Sequence, residues 1–189
     1  MSYREEFETV NLLLKSDNTT RGVDAFCLAL IKTERQIRKL FTHLVYQYPK
    51  LQTESFTDIR NTLFENRNVY FEGFIEGFNA IYPVKIDYLV GEDYEKLLAE
   101  VNKSIGFRNK IFHGQLTNQS LSRDALFKLS DNLSTWCMSL ANGAKAEIGF
   151  DGFEWNSLRK SELNLNSRYL LEINSLEDYK EFIKQVMAR

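Results

Sequence analysis

Three side chains in one short stretch of this 189-residue chain suit work on a phosphodiester: Arg108, Asn109 and His113, within Ser104-Ile105-Gly106-Phe107-Arg108-Asn109-Lys110-Ile111-Phe112-His113-Gly114-Gln115. An imidazole with an unperturbed pKa near ~6.5 takes up and releases protons at neutral pH. A guanidinium stays charged, and its fork of N–H groups matches phosphate oxygens. RNA asks for little more, because the ribose 2′-hydroxyl is an internal nucleophile already beside the scissile phosphorus. The protein has only to move protons and stabilise a crowded, more negative phosphorus centre. DNA lacks that hydroxyl and would be spared. On this reading His113 is general base or acid, Arg108 holds the phosphate, and Asn109 orients the imidazole or the substrate. The plain alternatives are a histidine favoured at a helix C-terminus by the helix dipole and an arginine that is only a surface charge.

These residues need a helix end to position them, and the flanking pattern supplies one. Tyr94, Leu97, Leu98, Val101, Ile105 and Phe112 recur at three- and four-residue steps, which predicts an amphipathic helix over residues 92–113 with one stripe facing a core. Gly114 is a natural C-terminal stop, because a left-handed cap is cheap only without a Cβ. At ~100° per residue Asn109 and His113 share a face and Arg108 projects about a quarter turn away, so the three can line the edge of one groove.

Other chemistries find no support. There is no glycine-rich phosphate loop ending in Lys-Ser or Lys-Thr, no dinucleotide fingerprint, no Cys-x-x-Cys, no His-Glu-x-x-His and no Gly-x-Ser-x-Gly. With His43 and His113 as the two histidines and Cys27 and Cys137 far apart in sequence, no metal site and no cofactor is expected. His43 lies away from the motif and reads as structural. The cysteines sit among apolar neighbours and read as small buried hydrophobes in a reducing compartment.

The Arg-Asn pair, with His113 five positions after Arg108 at a helix end, resembles the signature of the HEPN superfamily, whose nuclease members carry Arg, four to six residues, then His. The resemblance rests on this motif and on the order of helices over roughly residues 20–145. It implies a mainly all-α fold, an up-and-down helical bundle, and the same roles for Arg108 and His113. It also implies a homodimer in which two motif helices meet, so that two His and two Arg share one cleft. One subgroup, toxins paired with nucleotidyltransferase antitoxins, carries Tyr two positions after the His; here that position is Gln115, which leaves the subfamily open.

Composition sets further bounds. A chain of 189 residues with 43% apolar and 26% charged residues can bury one core but hardly two, so a single domain over residues 1–189 is expected. Its formal charge of −2 argues against coating nucleic acid non-specifically, so contact with RNA must be local. Fourteen Phe, nine Tyr and two Trp point to a thickly aromatic core or an aromatic interface. Residues 1–6 lack a positive head followed by an apolar run, and no apolar run approaches the ~18 residues of a membrane helix, so a cytoplasmic location without membrane contact is expected.

Along the chain, Phe7, Val10, Leu13 and Leu14 predict a short amphipathic piece before a polar turn at residues 16–20. A long helix is predicted from about residue 22 to 48, ended by Pro49. On one of its faces lie Lys32, Arg35 and Lys39, either a solvated face or a strip that docks RNA phosphates; Lys110 is a further candidate for substrate binding. Ser55-Phe56-Thr57-Asp58 resembles a capping box opening a second helix that continues, kinked near residues 66–68, to Ile81. Within it Gly73 and Gly77 each cost about 1 kcal/mol relative to Ala, which calls for a close neighbour. Glu72 and Glu76 beside them are either surface ion pairs or groups that tune the charge of His113.

After the motif helix, residues 116–121 read as a polar loop. Ser122 caps another helix carrying Leu126, Leu129, Leu133, Trp136, Cys137 and Leu140, fraying near Asn142-Gly143. Beyond about residue 146 the period changes. Alternation through Ile148-Gly149-Phe150-Asp151-Gly152-Phe153-Glu154-Trp155 around Asp-Gly predicts a small β-hairpin. Residues 169–173 predict a strand or an extended segment, and Ser175 caps a short terminal helix. The functional expectation is a metal-independent endoribonuclease that leaves a 2′,3′-cyclic phosphate, of the toxin or anti-phage defence kind, with RNA as partner alongside an antitoxin or defence protein. The alternative is a catalytically silent module that binds RNA, a nucleotide or a protein.

Overall fold

The computed structural model describes residues 2–51, 56–66, 68–112 and 121–188. It is all-α: α1 Tyr3–Lys15, α2 Arg21–Tyr46, α3 Phe56–Glu65, α4 Phe71–Ile81, α5 Ile86–Val90, α6 Tyr94–Phe112, α7 Arg123–Ile148 and α8 Leu176–Phe182, the last running into a π-helical turn Ile183–Met187. No helix among the described residues is long and apolar enough to cross a membrane.

The centre of the molecule is α2. Ala25, Phe26, Ala29, Leu30, Ile37, Leu40, Phe41 and Leu44 recur at helical spacing and are fully buried, and α1, α4, α6 and α7 all pack on this helix. Some polar side chains inside the stack tie its helices together, although Gln36 Oε1, Trp136 Nε1 and Tyr179 OH are buried without a hydrogen-bond partner among the described residues. Gln36 Nε2 donates to the carbonyls of Cys137 and Asp151, each at 3.0 Å, tying α2 to α7 and to the segment that follows it. Thr33 Oγ1 lies 2.9 Å from Ala29 O and 3.3 Å from Cys137 Sγ. Cys137 is buried as expected, and burial pushes its thiol up to about 12. Cys27 is half-buried, and its thiol is raised chiefly by burial.

The caps read from sequence at Ser122 and Ser175 are present: their hydroxyls accept from Ala125 N at 3.2 Å and Asp178 N at 3.1 Å. The segment 169–173 forms no strand and bends at Leu170 and Leu171; Leu170 N donates to Ile81 O at 2.9 Å and Tyr169 OH to Leu44 O at 2.6 Å. Gly73 meets the expected close neighbour, because a Cβ there would collide with the carbonyl oxygen of Met187, and one on Gly77 would crowd the Met187 side chain and the Phe41 ring.

Four expectations are corrected. The β-hairpin does not form, and the described residues contain no strand, only an isolated bridge between Val69 and Ala188. Gly149 instead closes α7 with φ 76, and the Asp151 carboxylate accepts from Phe153 N at 2.7 Å and Glu154 N at 2.8 Å. That local turn, with Gln36 on the Asp151 carbonyl, satisfies the backbone without a partner strand. Second, the helix expected to run from Ser55 to Ile81 is two helices. Asn66 Nδ2 caps back onto Thr62 O at 2.7 Å, Val69 N turns onto Asn66 O at 3.3 Å, and α4 starts afresh at Phe71; Ser55 lies outside the described residues. Third, α7 does not fray at Gly143, which is where the Leu89 backbone of α5 comes so close that a Cβ would overlap it. Fourth, α5 itself was not foreseen; Asn79 Oδ1 accepts from Ile86 N at 2.8 Å at its start.

His43 is structural, as expected: the ring is 1% exposed, packs 4.8 Å from Phe150, and donates from Nδ1 to Ser157 O at 3.2 Å. Burial outweighs that bond and pulls the imidazole down from 6.5 to about 4, so the folded protein holds it neutral.

Two predictions follow from this packing. In urea unfolding, Gly73→Ala and Gly143→Ala should each lose about 1–3 kcal/mol through overlap, whereas Gly106→Ala, which meets nothing within 4 Å, should gain about 0.5–1 kcal/mol of helix propensity. Neutral His43 contributes stability that is complete above pH 6.5 and is lost as pH falls toward about 4, in total on the order of 3 kcal/mol. His43→Asn, which keeps a donor for Ser157, should flatten the fall in urea midpoint between pH 6.5 and 5; an unchanged slope would refute the assignment.

Candidate functional site

The residues of α6 that face the core are Leu97, Val101 and Ser104, packed toward α7 and α2. Arg108 continues this stripe one turn further on, since four-residue steps return to nearly the same side of a helix. There the apolar interior has ended, and the side chain meets α2 instead. Arg108 Nη1 donates to Glu34 Oε2 at 2.5 Å, with the two side chains 21% and 26% exposed. Its Nε and Nη2 both donate to Asn109 Oδ1, at 3.1 and 2.9 Å. Asn directly after Arg thus acts as a brace that fixes the plane of the guanidinium.

A guanidinium has five N–H donors. Three are engaged by described residues and two are not. Burial drives the Glu34 carboxyl above its usual range, and the charges of Arg108 and Arg38 oppose this without overcoming it. Lys110 lies in the last turn of α6, where a cation complements the helix dipole. His113, with Gly114 and Gln115, lies outside the described residues, as does the polar loop over residues 116–120.

The Lys32, Arg35 and Lys39 strip is divided by the structure. Lys32 Nζ is 2.8 Å from Glu6 Oε1 and 12% exposed, while Arg35 reaches the same oxygen at 3.4 Å and remains 59% exposed. Burial would raise the Glu6 carboxyl, but the Lys32 hydrogen bond and the charges of Lys32, Arg35 and Lys39 hold it below its usual range. Lys39 donates to Phe153 O at 3.4 Å and lies 5.5 Å from the Phe150 ring; burial, then Arg35, lowers its pKa. Lys32 is therefore mainly a clamp between α1 and α2, and Arg35 is the open member of the strip.

Sequence reading missed Glu34, which pairs Arg108, and Arg38, one turn beyond it. At ~100° per residue Glu34 and Lys32 stand on nearly opposite sides of α2, with Arg38 and Arg35 between them. A Glu34-Arg38 pair at four-residue spacing was the available signal. Glu72 is half-buried and Glu76 exposed on α4; the histidine they were expected to tune is outside the described residues. Among the described residues, no three His, Cys, Asp or Glu side chains gather where they could hold a metal ion. Set against known proteins, the chain matches no protein-family model, no curated protein and no solved structure.

Proposed function

We propose that the chain is a HEPN-like endoribonuclease: an up-and-down helical bundle whose α6 carries Arg108, Asn109 and His113 and which cuts RNA by metal-independent transesterification. The ribose 2′-hydroxyl attacks the adjacent phosphorus, the bond to the 5′-oxygen of the next nucleotide breaks, and a 2′,3′-cyclic phosphate remains. His113 takes the hydroxyl proton or returns one to the leaving oxygen. Arg108 neutralises the charge that builds on the phosphoryl oxygens, and Asn109 holds Arg108 in place. A dimer through the motif helices would supply a second histidine, so that acid and base roles fall to different chains. The cellular setting proposed is a toxin or defence effector in the cytoplasm, with an antitoxin or defence protein as partner.

The observation that carries this reading is the braced guanidinium at the end of α6, engaged on three N–H groups with two left over. One observation favours a second reading, a catalytically silent HEPN-like module that binds RNA, a nucleotide or a protein: Arg108 already has a carboxylate partner 2.5 Å away. The two separate in a cleavage assay on single-stranded RNA in EDTA. The wild type should cut and leave 2′,3′-cyclic phosphate ends, while His113→Ala and Arg108→Ala should each fall by about 100-fold or more. Equal residual cutting by all three proteins would assign it to a contaminant and leave the silent module standing.

A further inference from the structure

On the side of α2 away from Glu34, the molecule is not smooth. Between α2, α3 and residues 153–158 runs an open groove of about 1380 Å³. Five cations line it, Lys32, Arg35, Arg38, Lys39 and Arg60, against two carboxylates, Glu5 and Glu6. On a chain with a formal charge of −2, this is a local concentration of positive charge.

The cations differ in availability. Lys32 is clamped by Glu6, and Lys39 is turned toward the Phe153 carbonyl. Arg35, Arg38 and Arg60 are exposed along the groove. Arg38 lies over the Phe74 ring at 5.3 Å, a cation–π contact that holds it against the wall. One turn beyond Arg60 on α3 stands Phe64, which also lines the groove and is 82% exposed. A bare phenyl ring of that exposure beside three guanidinium groups needs a partner that brings both negative charge and a flat apolar face. An acidic peptide would use the charges and leave the ring idle, and a duplex would hide its bases.

We propose that this groove binds single-stranded RNA, with Arg35, Arg38 and Arg60 on successive phosphates and Phe64 stacked on a base. The choice of RNA rests on the nuclease reading above; the binding step itself does not depend on cutting.

The test uses fluorescence anisotropy with a 5′-labelled single-stranded RNA of about 12 nucleotides, spanning roughly the site size of such grooves. The chain carries Arg108→Ala throughout, so that the RNA stays whole. Adding Arg35→Ala, Arg38→Ala and Arg60→Ala together should weaken binding tenfold or more and lower the slope of log affinity against log salt by about 2, at ~0.7 per phosphate contact. Phe64→Ala alone should weaken binding about fivefold or more with the salt slope unchanged. Duplex RNA should bind more weakly and be indifferent to Phe64→Ala. Lys184→Ala, exposed and not among the groove-lining residues, should bind like the parent. Affinity unmoved by either groove variant, or duplex bound as tightly as single strand, would overturn the proposal. If the triple variant fails to fold by circular dichroism, Phe64→Ala decides alone, because so exposed a side chain carries little of the core. Loss of cutting by design with groove binding intact leaves this site standing; cutting by the wild type with binding indifferent to Phe64 and the arginines sinks the groove alone.

Discussion

The structure depends on how completely α2 is enclosed. Its long apolar stripe is covered by α1, α4 and α7, so the helix cannot rotate or slide without exposing several fully buried side chains at once. A transfer term of about 25 cal/mol per Å² makes any such shift expensive. Beside that covered stripe α2 carries Glu34, partly covered by Arg108, and the exposed Arg35 and Arg38. The same helix that organises the interior presents Glu34 to Arg108 and Arg35 and Arg38 to the groove.

This arrangement gives the two ends of the charged strip different characters. At one side Glu34 meets Arg108 from α6, and the opposite charges largely cancel. At the other, Glu6 is shared by Lys32 and Arg35, and one carboxylate is not enough for the cations gathered there. Arg38, between them, is felt by the Glu34 carboxyl while lining the groove. The cations are therefore gathered on the groove side of α2 rather than at Glu34.

Local signals in the chain were legible where the deciding partner is also local. Ser122 and Ser175 cap helices because the donors they satisfy are three residues away, and Pro49 lies just beyond the end of α2 because its ring cannot enter a helix. Gly73 announced a close neighbour, though not that it would be Met187. Where the deciding partner is remote, reading failed. Asp151-Gly152 carries the letters of a hairpin turn, but Gln36, more than a hundred residues earlier, takes the carbonyl and the aspartate binds its own backbone. Gly143 looks like a helix end until Leu89 is seen against it. Arg108 and Asn109 were singled out by type and spacing, whereas the pairing of Arg108 with Glu34 is visible only once α6 crosses α2. Of the groove, Lys32, Arg35 and Lys39 were singled out by helical spacing, but not Arg38, Arg60 or Phe64, because nothing in sequence places α3 across the groove from α2.

The turn after α8 has a consequence for how the molecule is assembled. Tyr179, Ile183 and Met187 are almost fully buried, and Phe182 nearly so; Phe182 and Tyr179 stack on Phe41 at 6.3 and 6.5 Å, and the Met187 carbonyl rests on Gly73. The segment that closes over α2 and α4 is thus made after both of them. A nascent chain that has not yet emerged as far as Tyr179 carries α2 and α4 with their shared aromatic flank open to solvent, a sticky half-built state that must wait for residues 179–187 or be shielded by something else.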